Sequence, residues 1–152
     1  GDLDFVGDVQ TTVLSRLKTA GFKRTGRHWI HEQDQVFLEF PSTRLADGER
    51  LVVRICYGVK LTIVDPHDLI VDRLAAWVHW RSSVDGVNAA LLVWSLRAEL
   101  SWRHLTKQAA AQGCSDALAS LKQFILPRRR KPSPSVLARW AESFGGKTPR
   151  RR

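Results

Sequence analysis

Strand-like runs followed by helix-like runs alone predict an α+β chain: a mixed sheet, a C-terminal helical half and a basic tail. Three observations carry that reading. Two-residue alternation dominates up to Val64, spacings of three and four dominate from Asp65, and the charge balance breaks at Pro127. The expected boundaries are a core over 1–64, a helical half over 65–126 and a tail over 127–152.

The elements follow in order. "GDLDFV" alternates and reads as a strand. "DVQTTVLSRLKTAGF" spaces Val9, Val13, Leu14 and Leu17 as one helical face and stops at Gly21. "GRHWIHE" and "VFLEFP" flank "QDQ" as a hairpin, with Val36, Leu38 and Phe40 on one side and Phe37 and Glu39 on the other. "LADGER" is turn-like, and "RLVVRICYGVKLTIV" is a pair of strands broken near Gly58. "DPHDLIVDRLAAWVHW" opens the helical half with Asp65 as N-cap and Pro66 at the first helical position. "GVNAALLVWSLRAEL", "SWRHLTKQAAAQG" and "CSDALASLKQFIL" continue as helices, the last with Ser115 as its cap, joined after the first by a loop containing Ser82, Ser83 and Asp85.

Composition narrows the function classes. The chain has 152 residues, enough for one core with an appendage. No apolar run reaches the ~20 residues of a membrane span, so no membrane partner is expected. Cys56 and Cys114 have no CxxC or Cys/His spacing, against a disulfide framework or a structural zinc and in keeping with a reducing cytoplasm. The five histidines also lack metal-ligand spacing, and no Ser/His/Asp arrangement supports nucleophilic catalysis. Trp77, Trp80, Trp94 and Trp102 recur on helices and read as core.

The net charge of +9 is concentrated at the end of the chain. After Pro127 stand Arg128, Arg129, Arg130, Lys131, Arg139, Lys147, Arg150, Arg151 and Arg152 against one acid, Glu142. Between the basic clusters, Ser133 and Pro134 open a short amphipathic helix bearing Val136, Leu137, Trp140 and Phe144, with Gly145 as its stop. The clusters read either as solubilising ends or as phosphate contacts. With Trp140 between them, nucleic acid is the preferred partner.

Asp2 and Asp4 share one strand face, about 7 Å apart along the backbone, where two carboxylates repel unless a cation lies between them. Glu39 belongs to a strand able to lie beside theirs. Three carboxylates on neighbouring strands suit Mg²⁺ or Mn²⁺, hard ions that take carboxylates together with substrate phosphates. A restriction-type nuclease core would place Lys two residues after its second acid; that position is Pro41.

In this order, "DLDFV", "GFKRTGRHWIHE", "VFLEFPS" and "LTIVDPHDLIVDRLAAWVHW" resemble the nucleotidyltransferase fold of the DNA polymerase beta superfamily, over roughly residues 2–125. The likeness is to its small bacterial toxin and abortive-infection members. It implies that Asp2 and Asp4 hold the divalent metal and a nucleoside triphosphate, with Glu39 as third acid. A nucleotidyl group would then pass to a hydroxyl on nucleic acid (tRNA, another RNA or DNA) or on protein. Arg73 would face the nucleotide, unless it serves a structural ion pair with its neighbours. An antitoxin-like protein partner is a further implication. The family's Gly-Gly or Gly-Ser turn lies upstream of the acids, and the sequence opens at Gly1. That turn is therefore expected in a preceding segment, on another chain, or lost from a relative that no longer binds nucleotide. Without the preceding strand the sheet would keep an open edge, which predicts a homodimer.

Overall fold

The computed structural model describes residues 2–45 and 49–144, Asp2 by its backbone alone. The chain is mixed α+β, and divides into two compact units, 1–49 and 50–152.

The first unit is a four-stranded sheet in the order β1-β4-β3-β2 with one helix. Its elements are β1 (Asp2–Val6), α1 (Thr11–Thr19), β2 (Lys23–Thr25), β3 (His28–His31) and β4 (Val36–Ser42). The alternation read from the sequence is the one observed. Trp29 and Leu38 are register partners on β3 and β4, and both are buried, while their neighbours on the same strands are only partly so. β1 pairs parallel with β4, and β3 pairs antiparallel with both β4 and β2, so the sheet is mixed and β1 and β2 form its edges. The three-residue β2, Lys-Arg-Thr, is exposed throughout. It has no apolar alternation to announce it, and its pairing with β3 makes it a strand.

The second unit begins with a hairpin, β5 (Leu51–Cys56) and β6 (Val59–Val64), which forms a sheet of its own. The turn residues Tyr57 and Gly58 both have positive φ, 50° and 78°, as a two-residue type I′ connection requires. Alternation alone groups these strands with the first sheet, under a boundary at residue 64; in the structure they cluster with the helices instead.

Five helices follow: α2 (Pro66–His79), α3 (Ser83–Leu96), α4 (Trp102–Ala111), α5 (Ser115–Ile125) and α6 (Pro134–Phe144). Asp65 caps α2, its carboxylate accepting the His67 main-chain N–H at 2.8 Å, with Pro66 at the first position. Ser82 caps α3 rather than lying in a loop, and Cys114 rather than Ser115 holds the N-cap position of α5. Ile70, Leu74, Val93, Leu105, Leu121 and Ile125 are fully buried and fill the centre. Helix α6, set apart as a tail by charge, belongs to this core: Leu137 and Ala141 are buried in it. Burial of its apolar face against α3 and α5 outweighs the local excess of charge. Among the described residues no helix is long and apolar enough to cross a membrane.

Candidate functional site

Sheet register builds the candidate site. Asp4 on β1 is the register partner of Glu39 on β4, and Glu39 is in turn the partner of His28 on β3. Neighbouring strands lie about 4.8 Å apart and register partners share a face, so two carboxylates and an imidazole form a row across the sheet. Asp2 stands opposite Phe37, two positions from Asp4 and in phase with it; its side chain lies outside the described residues.

Asp4 is exposed, whereas the Glu39 side chain is 17% exposed and lies beside Arg27 and His28. Arg27 Nε lies 3.0 Å from its Oε1 and donates to His28 Nε2 at 3.4 Å, and His28 Nδ1 lies 3.5 Å from its Oε2. These neighbours balance a carboxylate that β4 holds half under cover. Hard carboxylate oxygens on adjacent strands fit a divalent cation in donor chemistry. Arg27, 77% exposed, is the solvent-side partner of this largely covered carboxylate. Among the described residues no group of three His, Cys, Asp or Glu is close enough to hold a metal ion.

Arg73 belongs to the second unit. Its Nη1 donates to Asp85 at 2.8 Å and its Nε lies 3.9 Å from Asp72, so the structural alternative describes its present partners. The pair fastens α2 to the start of α3 at the mouth of an open groove of about 420 Å³. Burial alone would raise the Asp85 carboxyl; hydrogen bonds from Ser82 and Arg73 and the Arg73 charge reverse that and hold it below its ordinary value.

The tail residues divide. Trp140 is partly buried, stacked on Phe124 at 4.5 Å and 10°, and its Nε1 donates to Ser120 Oγ at 3.3 Å. It packs the core and has no face free for a base. Arg128, Arg129, Arg130 and Lys131 are exposed. Arg150, Arg151 and Arg152 lie outside the described residues.

One polar cluster goes unseen in the sequence. Arg50 reaches Asp65 at 3.1 Å and Asp68 at 3.2 Å, and its Nη2 lies 2.7 Å from His104 Nε2. His67 Nδ1 meets Asp65 at 2.7 Å, while its Nε2 accepts the Ser101 main-chain N–H at 2.9 Å. The hydrogen bond to Asp68 raises the Arg50 pKa against the opposing pull of burial. At Asp65 burial pushes up, but the His67 hydrogen bonds and the Arg50 charge prevail and lower it. Every charge here is answered, so the cluster ties Arg50, the residue before the hairpin, to α2 and α4. Its only local signal is the Asp-Pro-His-Asp opening of α2; Arg50 and His104 are distant in sequence.

No protein-family model, curated protein or solved structure matches the chain.

Proposed function

We propose that the chain is a nucleotidyltransferase-fold protein that uses Asp2, Asp4 and Glu39 to hold Mg²⁺ or Mn²⁺ with a nucleoside triphosphate. The pairing of Asp4 with Glu39 on parallel neighbouring strands carries this reading, because it puts two hard-oxygen donors on one face of a mixed sheet. In the reaction an acceptor hydroxyl of nucleic acid or protein attacks the α-phosphorus. A new P–O bond forms, the bond to the β-phosphate bridge breaks, pyrophosphate leaves and the hydroxyl proton is lost to water. The bound ion would supply charge neutralisation on the phosphate oxygens. Asp2, Asp4 and Glu39 would hold that ion, and Arg27 and His28 keep the Glu39 carboxylate in place on β4.

A second reading is favoured by those same two contacts. With both oxygens of Glu39 already facing Arg27 and His28, the fold can serve as an inactive module that binds nucleic acid through residues 127–152. Radiolabel transfer from each nucleoside triphosphate to bulk RNA and to protein, with Mg²⁺ or Mn²⁺, separates them. Transfer by the full-length protein, abolished by Asp4→Asn and by Glu39→Gln, is the expected result. No transfer, together with metal binding unchanged by Asp4→Asn, leaves only the second reading.

A further inference from the structure

We infer that the C-terminal ends of α3 and α5, with the loop 126–133, form a preformed seat for the sugar–phosphate backbone of a nucleic-acid strand, and that Arg97 is part of it. The sequence suggests a loose basic segment here; the structure holds it at several points. The Arg128 main-chain N–H donates to the Ile125 carbonyl at 3.1 Å, closing a turn after α5. Arg97, the C-cap of α3, donates from Nη1 to the Arg128 carbonyl at 3.3 Å. At the far end Pro132 is buried, and the Ser133 carbonyl accepts from Leu137 in the first turn of α6. Four successive cations, Arg128 to Lys131, are therefore displayed on a short backbone segment anchored at both ends, which lowers the entropic cost of binding.

Two of the guanidiniums are also oriented. Arg97 Cζ lies 4.3 Å from the centre of the Trp94 ring, and Arg128 Cζ lies 4.2 Å from that of Phe124. A guanidinium laid on an aromatic face keeps its N–H edge outward, in the forked geometry that phosphate accepts. Counter-charge does not come from the protein. The ion pairs of the second unit engage Arg50, Arg54, Arg73, His67 and His104, and none reaches this surface among the described residues. Like charges gathered without acids repel one another, and a polyanion relieves that repulsion while releasing its own counterions.

Nucleic acid fits better than a lipid surface. The apolar stripe of α6 that would enter a bilayer is spent on the core, with Leu137 and Ala141 buried. Trp140 is spent there too, so the surface reads phosphates and not bases. Binding is accordingly steep in salt and indifferent to sequence.

The test uses the full chain, without nucleotide and with chelator present, so that its outcome is independent of the transfer reaction. Fluorescence anisotropy follows a labelled mixed-sequence RNA strand across a salt series. Arg97→Gln is expected to weaken binding several-fold and to make the slope of log K against log salt shallower by about 0.7 per lost contact, with an unchanged melting curve. If that variant is misfolded, Arg129→Gln/Arg130→Gln, whose side chains are exposed, decides the matter by the same readout. An unchanged slope in a folded variant overturns the inference. So does tighter binding to phosphatidylserine vesicles than to RNA at equal salt, or strong preference for one base sequence.

Discussion

Trp77 on α2 meets the rest of the helical core from several sides. Its Nε1 donates to the Ala141 carbonyl at 3.0 Å, and its ring packs 4.7 Å from Trp140 and 4.3 Å from Phe144. Gly86 on α3 leaves room for that ring: a methyl group there would stand 2.7 Å from its carbons. Gly86→Ala therefore overpacks a dense interior, and a loss of about 1–3 kcal/mol is expected in urea denaturation. Asp85 is a residue whose charge state matters for pH. Its folded pKa lies below the unfolded value of about 3.9, so the Arg73–Asp85 pair stabilises fully above that value and is lost as pH falls through the lowered one. Asp85→Asn should cost about 1–3 kcal/mol at neutral pH. The gap between variant and parent should narrow below about pH 4 in the same denaturation series.

At the scale of elements, α6 and the β5–β6 hairpin differ in how they are held. α6 buries Leu137 and Ala141 and presents Trp140 to Phe124. Leu137 alone corresponds to about 1.5–3 kcal/mol of burial. Ending the chain before Ser133 should therefore lower the melting temperature sharply and expose apolar surface to a hydrophobic dye; an unchanged melt would return 134–144 to the role of an appendage. The hairpin depends on its turn. Tyr57 is fully exposed yet has φ of 50°, a conformation that costs a residue with a Cβ roughly 1–2 kcal/mol. Asn tolerates that conformation, and Asn-Gly is a favoured type I′ pair. Tyr57→Asn should thus raise thermal stability, because it relieves strain and gives up no packing.

At the scale of the whole molecule, the two units differ in how much interior they own. Residues 50–152 contain the entire helical core cluster, whereas among the described residues of 1–49 the buried apolar side chains are Trp29 and Leu38. A segment as short as the first rarely orders itself without outside help. Expressed separately, 50–152 should melt cooperatively by circular dichroism, and 1–49 should give a disordered spectrum. A cooperative melt of 1–49 would show that two buried side chains and a mixed sheet suffice.

Much of this was legible in the residues because it is local. The Asp65-Pro66 opening of α2, the Ser133-Pro134 opening of α6 and the hairpin around "QDQ" all follow from periodicity and capping within a few positions. The remainder depended on partners far away in the chain. Whether Trp140 stacks on a base or on Phe124, whether Arg128 hangs loose or is tied to Arg97, and where Arg50 finds its acids were decided by which helices pack together. Burial is shared between distant segments, so a stretch rich in charge can still supply the apolar stripe that closes a core. Sequence by itself determined most of the secondary elements, because periodicity and capping are local; tertiary packing alone determined strand register and which cations are engaged by the protein's own acids.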